Sequence, residues 1–249
     1  MRAVILAAGY DGRLRPHVDQ VPKALVEVGG QPLLVRTLTL LAQAGFDQVV
    51  LVVGHLRAQI REVVAAQVGD LDVTFVDNLA YRHTSTAASL ALARPHVDGH
   101  PFLLIDGDVV FDAGVLGRLL DIGPDAVAVR SIGSLGLEEV KVHADAHDRV
   151  VALGKDVPVR GAMGEAVGLT LVSAATSRRL FAALATTERD AYYEAALQAL
   201  IDGGATLHAV DIGSLYACEI DTPDDLRDAD AYLRQRPPQP PPRALRLAV

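Results

Sequence analysis

Two groups of residues in this chain have the types and spacing for phosphate chemistry. The first is Leu6-Ala7-Ala8-Gly9-Tyr10-Asp11-Gly12-Arg13-Leu14-Arg15-Pro16, followed by Pro22-Lys23-Ala24-Leu25. The apolar run Ala3 to Ala8 reads as a buried strand. It empties into a loop of small residues, which let backbone N–H groups approach a ligand closely. A bend of successive N–H groups makes a concave anion site. Leu6, Ala7, Ala8 and Gly9 are the candidate nucleotide contacts, and Arg13 and Lys23 add two cations suited to a polyphosphate. The second group is acidic. Asp106-Gly107-Asp108 closes a strand that begins at Phe102, and Asp221 closes one that begins at Tyr216. Carboxylates from separate strand ends can together hold one Mg²⁺, a hard cation that takes oxygen ligands and substrate phosphates. A lone strand-end Asp is more commonly a helix cap or turn residue; two of them beside the Gly9 loop point to nucleoside triphosphate chemistry.

Familiar alternatives do not fit. A P-loop needs G-x-x-x-x-G-K-[ST], and a dinucleotide fingerprint needs G-x-G-x-x-G; neither is present. A Rossmann dehydrogenase is excluded on the second count.

The segment from Leu6 to Leu25 resembles the signature L-A-A-G-x-G-x-R-L-x-P, then P-K-x-L, of the nucleotidyltransferase (nucleoside-diphosphate-sugar pyrophosphorylase) superfamily, which activates sugar phosphates and choline phosphate. The family's second Gly is Asp11 here, with Gly12 after it. The resemblance implies that the D-x-D segment and the late Asp bind the metal, which assigns Asp108 and Asp221 to Mg²⁺ and Asp106 to the nucleotide. Arg13 would then neutralise the departing β- and γ-phosphates, and Lys23 would bridge the α-phosphate and the attacking phosphate. Such a transfer works by positioning and charge stabilisation. It needs no general base, because a phosphate monoester is already largely ionised at neutral pH.

After a further strand, Asn78-Leu79-Ala80-Tyr81-Arg82-His83-Thr84-Ser85-Thr86-Ala87-Ala88-Ser89-Leu90 is rich in hydroxyls. Asn78, Tyr81, Thr84, Ser85 and Ser89 suit hydrogen bonds to a base edge and ribose, although Ser85 or Thr86 can also serve as a plain helix cap. The stretch is similar to the choline-phosphate cytidylyltransferase branch, with its N-x-x-Y, hydroxyl-rich turn and S-L. That branch often carries Asn where Ser85 stands. Glu138-Glu139-Val140-Lys141-Val142, Gly154-Lys155, Gly164-Glu165-Ala166-Val167-Gly168, Tyr192-Tyr193-Glu194 and Glu219-Ile220-Asp221-Thr222 extend the likeness to about Leu233. On this reading Lys141 and Lys155 meet the acceptor's phosphate or phosphonate, Glu165 an acceptor hydroxyl or cation, and Tyr192 the acceptor body. The plain alternative for each lysine is a solvated charge. A quaternary ammonium calls for an aromatic cage, and the chain has no Trp, five Phe and six Tyr.

The expected reaction is a Mg²⁺-dependent transfer of a nucleoside monophosphate, CTP favoured, to a small phosphate or phosphonate, releasing pyrophosphate. A sugar- or cyclitol-1-phosphate transferase using another triphosphate is the neighbouring alternative. A non-catalytic nucleotide-binding regulator would keep the scaffold and lose the cations or acids, whereas Arg13, Lys23, Asp108 and Asp221 are all present.

These residues need a scaffold. Short apolar strands at Val49–Val53, Val73–Val76, Phe102–Ile105 and Ala126–Val129 alternate with helix-like stretches at Leu33–Ala44, Ala58–Gln67, Ser89–Ala93 and Val115–Leu120. That alternation predicts a Rossmann-like, doubly wound, mostly parallel α/β sheet of the nucleotide-diphospho-sugar transferase type, with its ligand at the carboxyl ends of the strands. Strand-like runs at Val140–His143, Val150–Leu153 and Ala166–Leu171 predict a small lid sheet within an insertion of about 137–170. Helices follow at Ala174–Ala185 and Ala191–Asp202, then a strand pair, Thr206–Val210 with Tyr216–Ile220, and a last helix from Pro223 to Leu233. One domain of residues 1–236 results, before a proline-rich tail, 237–249, that reads as disordered.

Half of the 249 residues are hydrophobic, which supports a sizeable core. A net charge of −8 argues against nucleic acid or an anionic membrane as partner. No apolar run reaches the about 20 residues that span a bilayer. The chain opens on a strand pattern rather than a signal peptide. The single Cys218 rules out an internal disulfide, reads as a small core residue and suits a reducing cytoplasm. A homodimer is an admissible assembly.

Overall fold

The structure, a computed structural model, describes residues 1–10, 13–14, 19–69, 71–133 and 135–235. In chain order the elements are β1 (Arg2–Ala7), β2 (Glu27–Val28), β3 (Gln31–Pro32), α1 (Leu33–Gln43), β4 (Gln48–Val53), α2 (Arg57–Gln67), β5 (Asp72–Asp77), α3 (Thr86–Leu92), α4 (Arg94–Val97), β6 (Phe102–Asp106), β7 (Val109–Phe111), α5 (Ala113–Ile122), β8 (Ala126–Arg130), β9 (Lys141–Ala144), β10 (Val150–Gly154), β11 (Gly164–Val172), α6 (Ala174–Leu184), α7 (Glu194–Asp202), β12 (His208–Asp211), β13 (Ala217–Glu219) and α8 (Pro223–Arg234). Single 3₁₀ turns at Lys23–Leu25 and Tyr81–His83 complete the set.

A nine-stranded sheet runs β10-β9-β11-β6-β1-β4-β5, with β8 on β11 and β12 on β8. Its β6-β1-β4-β5 portion is parallel, and β11 enters antiparallel to β6. β1, β4 and β6 are almost wholly apolar because both faces of the sheet are covered there. Along β1, Ala3, Ile5 and Ala7 pack towards α1, α2 and α5, while Val4 and Leu6, with Ala8 just beyond, pack towards α3, α6 and α7. A third cluster of Leu14, Val26, Val28, Leu33, Val110, Ile220 and Ala229 seats α8 against the Lys23 segment.

The fold matches the expected doubly wound sheet, and the organisation of the second half differs in detail. The segments expected as a separate lid sheet are β9, β10 and β11, and they extend the main sheet. All nine residues of β11 are buried, so it is an interior strand joined to β6, β8 and β9. The small antiparallel sheets are instead β7 with β13 and β2 with β3. The two strands expected to pair near residues 206 and 220 do not pair: β12 lies parallel to β8, and β13 antiparallel to β7. The last helix starts as expected, with Thr222 and Asp225 closing a capping box before Pro223. Residues 237–249 of the expected tail lie outside the described residues.

Candidate active site

Sheet order changes direction at β1. The chain winds outward through β4 and β5, then returns to place β6 on the other side of β1. In open α/β sheets, ligand crevices form at the carboxyl ends beside such a switch. Leu6 is in register with Asp106, so the small-residue loop and the first acid emerge together. Gly107 makes the next turn feasible. A Cβ there would lie 2.6 Å from the Leu6 carbonyl oxygen and 2.9 Å from the Ala7 Cα. Its N–H donates to that same carbonyl at 3.0 Å.

Asp221 arrives from far along the chain. The pairing of β13 with β7 and a bond from Ile220 N–H to the Asp108 carbonyl, 3.0 Å, bring it beside Asp108. Lys23 sits between the two acids, donating to Asp108 Oδ2 at 2.7 Å and Asp221 Oδ1 at 2.5 Å. Burial alone would lower the Lys23 pKa; the two carboxylates overcome that and raise it far above the ordinary lysine value. Arg13 Nη2 reaches Asp221 Oδ2 at 3.1 Å, and buried Leu14 anchors the backbone beside it. Asp11 and Gly12, expected to shape this loop, lie outside the described residues.

A cavity of about 680 Å³ gathers these groups. Leu6, Ala7, Ala8, Gly9, Arg13, Lys23, Asn78, Tyr81, Thr84, Ser85, Ser89, Asp106, Asp108, Lys155, Tyr192 and Asp221, all singled out in the sequence, line it. At one end Asn78 is buried and donates to Thr84 Oγ1 at 3.1 Å and Ser89 Oγ at 3.0 Å, while its Oδ1 accepts from Ala80 N–H. This ties the hydroxyl-rich turn to the end of β5. Ser85 occupies the N-cap position of α3, yet its side chain makes no cap bond. Tyr10 meets His55 edge-on at 4.7 Å, and Arg82 lies over the Tyr10 ring.

At the other end are acids that sequence reasoning left without roles. Glu194 and Glu219 line the cavity with Tyr193, whose hydroxyl donates to Asp106 Oδ2 at 3.1 Å. Burial pushes the Asp106 carboxyl well up, and the charges of Glu194, Glu219 and Asp108 add to that. Glu219 is raised in the same way, by burial and then by Asp108 and Asp221. Glu194, 8 % exposed, is pushed up to about 7, chiefly by burial. Glu219 was legible in principle, since strand alternation puts it on the same side as Asp221. Glu194 carried no such signal beyond its place after two tyrosines.

Two expected acceptor contacts are not brought to the cavity. Lys141 is 1 % exposed, does not line the cavity, and donates to the carbonyls of Leu137 and Lys155. It tethers the segments before β9 and after β10. Glu165 is also buried and off the cavity lining, ion-paired to Arg130 across the β8–β11 register. Both residues belong to strand faces that the main sheet covers. Lys155 does line the cavity; its ammonium lies 4.4 Å from the Tyr192 ring centre and 3.7 Å from Glu138 Oε2. Cys218 lies half-buried in β13, and burial pushes its thiol up to about 11.

Among the described residues no group of three or more His, Cys, Asp or Glu could hold a metal unaided. The pair Asp108 and Asp221 nevertheless suits Mg²⁺, because both already face one cationic nitrogen. A Mg²⁺ site commonly uses one or two carboxylates and completes its shell with water and substrate phosphates. Among the described residues no helix is long and apolar enough to cross a membrane.

A mostly parallel sheet with a cavity of about 680 Å³ at its switch point, carrying these cations and acids, is the fold of a nucleotidyltransferase. Residues 3–203 match the MobA-like NTP transferase domain, and the chain belongs to that family. It is 37% identical to the CMP-5'-(3-aminopropyl)phosphonate synthase of Streptomyces rubellomurinus, over 98% of this chain and 40% of that protein. It is 34% identical to the choline-phosphate cytidylyltransferase of Haemophilus influenzae, over 46% of this chain and 47% of that one. The chain thus spans less than half the length of these curated relatives. Its fold is similar to the inositol-1-phosphate CTP transferase of T. maritima, with TM-score 0.79 and 24% identity over 94% of both chains. The CTP:phosphocholine cytidylyltransferase of Streptococcus pneumoniae follows at TM-score 0.73 and 20% identity, over 93% of this chain and 98% of that one.

Proposed function

We propose that this chain transfers a nucleoside monophosphate, CMP from CTP, to a small phosphate or phosphonate and releases pyrophosphate. The observation that carries the reading is the meeting of Lys23, Asp108 and Asp221 beside the Gly9 loop in one cavity. Cytidine is favoured by the name of the relative matched over nearly all of this chain, a CMP-phosphonate synthase at 37% identity.

The triphosphate lies along the loop from Leu6 to Gly9, with Arg13 over its β- and γ-phosphates. The turn from Asn78 to Ser89, with Tyr81, holds base and ribose. Asp108 and Asp221 would hold Mg²⁺, which would offset charge on the phosphates. Lys23 offers its ammonium to the α-phosphate and to the incoming phosphate oxygen, which attacks the α-phosphorus in line as pyrophosphate leaves. Its three donors stay within reach of the centre where negative charge builds. The acceptor enters past Lys155 and Tyr192, where a lysine offsets the repulsion between two anions.

A pyrophosphate-release assay with the four ribonucleoside triphosphates and a panel of phosphate and phosphonate acceptors tests this. Pyrophosphate from CTP that depends on both acceptor and Mg²⁺ is the expected result. Tight nucleotide binding with no turnover on any acceptor would replace it with a regulatory role.

A further inference from the structure

An arginine and three aromatic rings meet at the nucleotide end of the cavity, and the reaction as proposed gives Arg82, Tyr10 and His55 no task. His55 follows Gly54 at the end of β4. A Cβ on Gly54 would lie 2.6 Å from the Ala8 carbonyl oxygen and 2.9 Å from the Tyr81 Cβ, so β4 ends wedged between the small-residue loop and the hydroxyl-rich turn. His55 donates its backbone N–H to the Ala8 carbonyl at 3.1 Å. Its ring packs against two tyrosines, 4.7 Å from Tyr10 and 5.8 Å from Tyr81, centre to centre. Arg82 closes the set from outside. Its guanidinium carbon lies 5.5 Å from the centre of the Tyr10 ring and 5.4 Å from that of Tyr81. Both separations fall within the about 6 Å over which a ring face holds a cation. Asp77, at the end of β5, is held by Arg57 and Arg61, and among the described residues Arg82 has no carboxylate partner. Both tyrosines line the cavity, and Arg82 is exposed beside it.

We infer that Arg82 is a positioning residue: by lying on both rings it clasps the Gly9 loop to the Tyr81 turn and holds ready the two walls between which the nucleotide binds. The inference rests on the proposed nucleotide site and adds a residue that acts through Tyr10 and Tyr81 rather than on the phosphates. Asn78 anchors the turn through Ala80, Thr84 and Ser89, and His55 anchors the loop at Ala8. Arg82 touches the side chain beyond each anchor and so joins the two. Arginine suits this task, because its planar, weakly hydrated guanidinium stacks on aromatic faces and stays charged. Walls ordered before the ligand arrives lose less freedom when it binds. A contact that is the same in ground and transition states strengthens nucleotide binding and leaves the chemical step alone.

The test measures the Kd of CTP with Mg²⁺ by titration calorimetry, and initial rates with both substrates varied. It compares the wild type with Arg82→Ala, Arg82→Lys, Tyr10→Phe, Tyr10→Leu and the double variant Arg82→Ala/Tyr10→Leu. Arg82→Ala and Tyr10→Leu each raise the Kd and the KM for CTP about threefold to tenfold, the range of a cation–π contact. Their kcat stays within about twofold of the wild type. Tyr10→Phe keeps the ring and the wild-type Kd, and Arg82→Lys falls between the wild type and Arg82→Ala. The double variant is little worse than either single one, because both remove one contact. A wild-type Kd in Arg82→Ala overturns the inference, as does a fall in kcat with the KM for CTP intact. Multiplicative losses in the double variant, or a wild-type Kd in Tyr10→Leu, overturn it as well and make Arg82 a direct contact of the ligand. Arg82 is exposed, so Arg82→Ala decides alone should Tyr10→Leu fail to fold. CTP binding that follows these ratios without pyrophosphate from any acceptor keeps the clasp and removes nucleotidyl transfer. No binding of CTP by the wild type removes the nucleotide site and the clasp together.

Discussion

Lys23 and Asp221, 198 positions apart, are joined by a 2.5 Å hydrogen bond from ammonium to carboxylate. Asp108 holds the same nitrogen at 2.7 Å. One cation therefore answers two acids that approach from different strands. The three groups therefore form one hydrogen-bonded unit.

Lys23→Ala lowers kcat by about 10²- to 10³-fold with a smaller rise in the KM for CTP, since its contact strengthens as charge develops. Initial rates with both substrates varied decide this. A change confined to KM would reduce Lys23 to a ground-state binding group.

Asp108→Asn and Asp221→Asn each remove most activity, and the double variant is little worse than either single one. Chelation of divalent metal has the same effect on the wild type. Independent, multiplicative losses would assign the two acids separate tasks.

Lys141 and Lys155 separate stability from binding. Lys141→Met removes the buried ammonium that holds the Leu137 and Lys155 carbonyls and lowers unfolding free energy by about 1–2 kcal/mol. Lys155→Ala leaves stability within about 0.5 kcal/mol and raises the acceptor KM about tenfold, a change worth ~1.4 kcal/mol. Urea melts and acceptor titrations give both readings, and the reverse pattern would restore Lys141 as the acceptor contact.

Glu165 and Arg130 are an ion pair on buried strands, with side chains 11% and 32% exposed. Arg130→Met strands the carboxylate and destabilises the fold by about 2–3 kcal/mol, below the full cost of breaking a buried pair because Arg130 keeps some solvent. Chemical denaturation checks it. A neutral result would mean that the pair contributes nothing net.

Glu194 gives stability a pH slope. The folded chain keeps its proton up to about pH 7, while the unfolded chain releases it near the ordinary value of 4.5. The folded state then binds more protons in that window, so stability falls as pH rises from about 4.5 to 7. Asp106 and Glu219, also raised, contribute in the same direction. Glu194→Gln reduces the slope of Tm against pH in that window and leaves part of it. An unchanged slope would show that Glu194 ionises freely in the folded chain.

The parallel half of the sheet and the strand ends that line the cavity were legible in the sequence, because each depends on local pattern. Apolar runs ending in small or acidic residues mark strand ends, and in a doubly wound sheet all the parallel ends face one crevice. Arg13, Lys23, Asp108 and Asp221 were singled out by that pattern together with the likeness to the nucleotidyltransferase signature, and they line one cavity. The tertiary structure decided which side chains of the second half reach the cleft. Lys141 and Glu165 looked like exposed charges on a lid, but β11 pairs with β6, β8 and β9 and draws both inward. Strand partners so distant in sequence leave no local periodicity to read. The same non-local packing sets the first turn of α7 against the end of β6, so that Glu194 faces Asp106, a juxtaposition of like charges that only the folded chain makes.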